Sequence, residues 1–302
     1  MFEKLFAESG LSLDRLRAFL AVGAAGSIVK ATGGDPVKQS QYSRQIKELE
    51  DFFRSKLVEK QGKVIRLSAN GKELARISRF FLLGLSNFQR GCLAEEQSFC
   101  IGASATFLQQ FLLPVVSGAA VVRSDTRYIV ESVVGDDIER RLHDLTLDFG
   151  ITTRAAVSRP LQLKELGRWK LGLWIPARVQ KDAKSAAAAF KDRSLPVAFA
   201  TKEFEAAAVD EFVDQNNRVT CDSFFQAIAA LKSLELGAVL PEFLAAELRS
   251  KEFVRVRIPG LDSRVFHFRL VWNPRLFRLN PHAAQRKDFL VEALTRAIKG
   301  SA

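Results

Sequence analysis

Cysteine is scarce in this chain of 302 residues. Cys92, Cys100 and Cys221 are the only three, and they form no C-x-x-C pair. That excludes a disulfide framework and fits a reducing compartment. Histidine is as rare: His143, His267 and His282 lie far apart and lack metal-ligand spacing. There is no run of about twenty apolar residues, so no membrane span is expected. The opening MFEKLFAESG carries acids and has no apolar stretch of signal-peptide length, so an exported protein is not expected. Gly-rich phosphate loops, a nucleophile elbow and metal clusters are all missing, which argues against an enzyme and calls for no cofactor. Acidic residues are in the minority, 34 against 45 Lys and Arg, giving a net charge of +11. An excess of that size points to a polyanionic partner.

What is present is concentrated between Ser27 and Phe53. SIVKATGGDPVKQSQYSRQIKELEDFF reads as a short helix, a sharp turn at Gly33-Gly34-Asp35-Pro36, and a helix from about Lys38 to Phe53. Val37, Tyr42, Ile46, Leu49 and Phe53 give that last helix a buried side. Lys38, Gln39, Ser40, Gln41, Ser43, Arg44 and Lys47 give it a face of amide, hydroxyl and cationic groups, as reading a major groove requires. Gln39 can present a bidentate amide to adenine, with Gln41 as a second amide. Arg44 can present a fork to guanine, and Ser40, Ser43 and Lys47 suit phosphate or water-bridged contacts. A preceding helix over 11–25 has Leu13, Leu16, Phe19, Leu20 and Val22 as its apolar side, Ser12 or Asp14 near its start, and Gly26 as its stop.

Two short β-prone runs, Leu57-Val58-Glu59 and Val64 to Leu67, flank Lys60-Gln61-Gly62-Lys63. This predicts a hairpin whose Lys60, Lys63 and Arg66 reach a phosphate backbone or minor groove. From Asn70 to about Cys92 a helix follows with too many apolar groups for an exposed surface, so it packs in a core or against its own copy. After a polar break at 94–98, strands and helices alternate at spacings that suggest parallel β-α units. Expected strands lie at Phe99–Gly102, Tyr128–Glu131, Leu147–Ile151, Leu171–Ile175, 196–200, Gly237–Leu240 and Arg264–Trp272. Helices are expected at 107–116, 136–145, 183–190, 222–235 and 288–299.

These residues resemble the LysR-type transcriptional regulators. The likeness rests on Leu16-Arg17-Ala18-Phe19, Gly26-Ser27, Gln39, the run Ser43 to Glu50, Leu57, Lys60, and Leu67-Ser68-Ala69-Asn70-Gly71. Weaker matches are Leu147 to Ile151 and Leu236 to Pro241. There are departures. Gly33 to Pro36 replaces a helical Glu-Arg-Leu-x run, so the second helix should end early. Ser40 stands where proline is common, and Gly135 stands where the family often has a ligand-binding Ser or Thr.

The resemblance implies an all-α winged helix-turn-helix over 1–68, a linker and dimerisation helix over 69–94, and an effector-binding α/β domain over 95–302. That last domain would be two-lobed and periplasmic-binding-protein-like, with lobe I at about 98–155 and 262–302 and lobe II at about 156–261. Ligand would sit at strand ends, where helix N-termini point their amides. Candidate contacts are Ser104, Thr106, Thr152, Thr153, Thr201 and Asp222. The implied protein is a cytoplasmic, sequence-specific regulator controlled by a small-molecule effector, a homodimer or homotetramer on a double-stranded, dyad-symmetric operator. Three alternatives stay open: a regulator with a ligand-independent sensor, a cytoplasmic small-molecule-binding protein, and an architectural DNA binder.

Overall fold

The computed structural model describes residues 3, 5, 10–62, 64–92, 97–118, 126–179, 183–201, 203, 217–248 and 252–301. The chain divides into two units, Met1–Gly91 and Cys92–Ala302.

The first unit opens with α1, Leu13–Ala25. The Ser12 hydroxyl caps it by accepting from the Arg15 amide at 3.3 Å, and the Gly26 amide closes it on the Val22 carbonyl at 2.9 Å. The second helix, α2, is only Ile28–Ala31, as expected from the turn that follows. Gly33 and Gly34 both take positive φ, 62° and 87°, a conformation that side chains with a Cβ resist. The third helix, α3, is Pro36–Phe53. It starts two residues before the expected Lys38 because the Asp35 carboxylate accepts from the amides of Val37 (2.9 Å) and Lys38 (3.2 Å), with Pro36 at the first position, where no amide is needed. Leu16, Phe19, Val22, Ile46, Leu49, Leu57, Ile65 and Ala75 form one core. Each fully buried Leu, Ile or Phe contributes about 1.5–3 kcal/mol relative to exposure.

Two expected core residues lie outside it. Leu13 is 54% exposed and Val37 is 77% exposed. Leu13, nine residues before Val22, stands on the opposite side of α1 from it, whereas Leu11 packs against the core. The five-residue step from Val37 to Tyr42 breaks helical spacing and carries Val37 to the far side of α3.

Strands β1 (Val58–Gln61) and β2 (Val64–Leu67) form the hairpin, paired from Val58↔Leu67 to Gln61↔Val64. The Ile65 amide ties it to the Gly26 carbonyl at 2.8 Å. The long helix α4, Ala69–Cys92, follows. At its start Gly71 is required by contact: a Cβ there would lie 2.0 Å from the Leu57 carbonyl oxygen.

The second unit has nine strands among its described residues, in the order β4-β3-β5-β11-β6-β9-β7-β8, with β10 also on β6. These are β3 Gln97–Ala103, β4 Thr126–Ser132, β5 Phe149–Thr152, β6 Gln162–Pro176, β7 Val197–Ala200, β8 Asn217–Cys221, β9 Gly237–Pro241, β10 Phe253–Val256 and β11 Val265–Trp272. The parallel expectation holds for β3 with β4 and β5, and for β7 with β8 and β9. It fails at β6, β10 and β11, which pair antiparallel. Strand spacing alone carries no direction.

β6 begins nine residues before the expected Leu171. Its first half pairs with β11 and its second half with β9 and β10, so one strand runs through both halves of a curled mixed sheet. The charged residues Lys164, Glu165, Arg168 and Lys170 hid the first half from a hydropathy reading; Leu171 to Pro176 are buried throughout. Packed on the sheet are the helical run 105–116 (α5), α6 Asp136–His143, α7 Ala183–Lys191, α8 Phe224–Ser233 and α9 His282–Gly300. A π-helical turn at Leu108–Leu112 interrupts α5. Pro114, just beyond it, has no amide to donate and would crowd a regular preceding turn.

Candidate nucleic-acid interface and sensor cleft

The DNA-facing candidates on α3 are set by helical spacing. Ile46 and Leu49 fix the inward side, so Val37, Gln41 and Arg44, at i, i+4 and i+7, lie on one outward stripe flanked by Ser40 and Lys47. Lys38, Ser40, Gln41, Ser43, Arg44 and Lys47 are all exposed. Gln39 is different: it is half-buried on the inward side, and its Nε2 donates to the Gly34 carbonyl at 2.9 Å, bracing the turn. Lys38 reaches back to Asp35 at 3.7 Å. Arg44 is 82% exposed, with Nε donating to Glu48 at 2.8 Å. Arg15 meets the same carboxylate at 2.5 Å.

The Arg15 hydrogen bond, then that of Arg44, holds the Glu48 carboxyl below the ordinary glutamate range. An exposed pair of this kind is weak, so a phosphate or a guanine edge can replace Glu48 at little cost. The sequence reading gave no role to Arg15 and used Glu48 only as part of a motif. Together with Ser12, Gln41 and Arg44 they border a polar hollow of about 310 Å³ beside the outward face of α3. Lys60 and Arg66 are exposed on the hairpin, and Lys63 lies outside the described residues.

The hairpin is oriented by a carboxylate that the sequence reading used only as part of a motif. Glu50, on the inner side of α3, accepts from the amides of Leu57 (2.8 Å) and Val58 (3.2 Å) and pairs with Lys56 at 3.2 Å. The Ser68 hydroxyl closes the arrangement, donating to the Lys56 carbonyl at 2.6 Å and accepting from the Gly71 amide at 3.0 Å. These bonds fix where Lys60 and Arg66 stand relative to α3.

On α4, Ile77, Phe81, Leu85 and Phe88 are all exposed, from 42% to 73%. Their spacing of four, four and three residues makes one apolar stripe.

In the second unit, a cavity of about 60 Å³ lies at the ends of β3 and β5, bordered among others by Ser104, Thr152, Thr153, Arg154, Gly135 and Glu203. It therefore gathers three of the six expected contacts. Thr106 is buried just behind it, while Thr201 and Asp222 lie outside its lining. Asp222 precedes α8 and does not open it, because Ser223 is the cap, accepting from the Gln226 amide at 3.3 Å. Gly135 leaves open space where a side chain would stand.

Glu203 and Arg154 are cleft residues to which the sequence reading gave no role. Glu203 is 8% exposed, and its carboxylate accepts from the Thr106 amide at 2.7 Å and the Phe224 amide at 3.0 Å, at the starts of α5 and α8. The amides foreseen as holding an effector's anion are thus taken by the chain's own carboxylate. Burial pushes the Glu203 carboxyl above the ordinary range, against the opposing hydrogen bonds from Thr106, Phe224 and Ser104. Arg154 pairs with Asp136 at 2.6 Å and Glu139 at 3.2 Å. The space that remains suits a few waters.

Comparison with known proteins bears on both units. Residues 13–72 match the family described as "Bacterial regulatory helix-turn-helix protein, lysR family", and residues 94–295 match "LysR substrate binding domain". Among solved structures, a full-length cysteine-to-aspartate variant of OxyR from Pseudomonas aeruginosa is 16% identical with a TM-score of 0.64, covering 94% of this chain and 97% of that one. Full-length LysG from Corynebacterium glutamicum, with bound effector Arg, is 18% identical with a TM-score of 0.64, covering 95% and 99%. Full-length CbnR complexed with its target DNA is 15% identical with a TM-score of 0.60, covering 97% and 100%. Identities this low carry the fold alone. No curated protein matches the sequence.

Proposed function

The chain belongs to the LysR family of bacterial helix-turn-helix transcriptional regulators, and from that premise we propose how its residues divide the work. The outward stripe of α3 reads base edges, with Gln41 and Arg44 as the polar readers and Ser40, Ser43 and Lys47 on phosphates. Gln39 holds the turn and turns to adenine only by giving up its bond to Gly34. Lys60, Lys63 and Arg66 serve the backbone or minor groove beside it. The observation that carries this reading is the coincidence of Gln41 and Arg44 on one exposed face, with the hairpin braced to the same helix through Glu50.

The apolar stripe of α4 supports a homodimer, in which two reading helices meet a dyad-symmetric operator. Among the described residues no helix is long and apolar enough to cross a membrane, and we place the protein in the cytoplasm with the chromosome. A small-molecule effector entering the cleft would shift the arrangement of the assembly. One observation favours a second reading, a sensor that acts without ligand: Glu203 already occupies the amides that an anionic effector would use.

The test begins with selection of an operator from a random duplex library by the full-length protein, followed by footprinting while metabolites are titrated. Enrichment of a dyad-symmetric sequence and a ligand-dependent footprint are expected. A footprint indifferent to every ligand moves the reading to the ligand-independent sensor, and no enriched sequence overturns it.

A further inference from the structure

We propose that Val37 is a specificity-determining residue, whose isopropyl group enters the major groove and recognises the C5-methyl group of a thymine. The proposal rests on the assignment of α3 as the reading helix. It starts from an anomaly in that helix: an aliphatic side chain 77% exposed, in the first turn, where reading helices approach base edges. Val37 lies on the same outward stripe as Gln41 and Arg44, one turn and two turns further along.

What surrounds Val37 rules out simpler roles for that end of the helix. The amides of Val37 and Lys38, which would otherwise hold a phosphate, are taken by the Asp35 carboxylate. Lys38 is drawn back toward Asp35, and Gln39 toward Gly34. The tip that remains facing outward is Pro36 and Val37, both exposed and both apolar. In a major groove, the apolar feature that base pairs display is the thymine methyl. Burial of one methyl or methylene group is worth roughly a fourfold change in affinity, enough to discriminate thymine from cytosine or uracil at one position.

The experiment uses the full-length protein and the operator obtained by selection. Each thymine is replaced in turn by deoxyuridine, which removes the methyl group and leaves the base pairing intact. Binding is measured for the wild type, Val37→Ala and Arg44→Ala. The expected result is at least one thymine per half-site where deoxyuridine weakens the wild type roughly fourfold, while Val37→Ala binds both duplexes equally. Val37→Ala should retain its helical circular dichroism, since the side chain supports no core. A wild type indifferent to every deoxyuridine, or a Val37→Ala protein with undiminished sensitivity, would overturn the proposal. Arg44→Ala separates the two failures. If it alters base preference while Val37→Ala does not, the reading-helix assignment stands and only the Val37 role falls. If neither variant alters preference, both fall.

Discussion

Two buried glutamates, one in each unit, do similar chemistry for opposite reasons. Glu50 accepts from the amides of Leu57 and Val58, seven and eight residues away, with Lys56 beside it. Glu203 accepts from Thr106 and Phe224, 97 and 21 residues away. The first carboxylate stiffens a local corner, setting a hairpin against the helix from which it springs. The second joins the starts of two helices in a cleft, on amides that a ligand would use. The local carboxylate fixes a corner between neighbouring elements, and the long-range one ties together helix starts far apart in the chain.

The largest way to break the first arrangement leaves the carboxylate untouched. Gly71→Ala would drive a Cβ into the Leu57 carbonyl oxygen, at a cost of about 3 kcal/mol, the upper end of overpacking penalties. Operator binding should fall sharply while the tryptophan-fluorescence melt stays in place, because Trp169, Trp174 and Trp272 all lie in the second unit. Glu50→Ala comes next. It strips the Leu57 and Val58 amides of their acceptor and should cost about 2 kcal/mol, read as faster hydrogen exchange in the hairpin and weaker DNA binding.

Glu203 sharpens the contrast through pH. Its folded carboxyl titrates above the ordinary range, so the native state holds its proton more tightly than the unfolded chain does. The resulting stability is fully present below the ordinary glutamate value and is lost as pH rises through the raised one. The tryptophan-reported melting temperature should carry that decline, and Glu203→Gln should flatten it. An unchanged slope would separate Glu203 from the melt.

The smallest effect concerns thiols. Cys100 is pushed up to about 12, chiefly by burial and then by the Glu131 carboxylate. At neutral pH its thiolate is far scarcer than that of an ordinary cysteine. Peptide mapping after iodoacetamide should find Cys100 unlabelled in the folded protein and labelled after unfolding, with no change in DNA binding before unfolding.

The same contrast explains how far the sequence could be read. The cap at Ser12, the stop at Gly26, the short α2 and the hairpin all follow from neighbours within a few residues, and they stand where the local sequence placed them. Val37 falls on the far side of α3 because its five-residue step to Tyr42 exceeds the helical repeat, while the Asp35 cap draws it into the first turn. Gln39 was read as a base reader because its partner, the Gly34 carbonyl, is a backbone atom with no sequence signature. The direction of β6 and the bonds of Glu203 depend on residues distant in the chain, and no spacing announces them. In the cleft, Ser104, Thr152 and Thr153 were legible as residues following strands. Arg154, paired with residues of α6, was not.

The outward face of α3 is proposed to read bases. The most direct test is the base-preference profile of full-length Arg44→Ala against the wild type, measured at fixed salt on every single-base variant of the selected operator. A loss of about 1–3 kcal/mol is expected on the preferred operator, with relaxed preference confined to dyad-related positions. An identical profile and affinity for the two proteins would contradict that role.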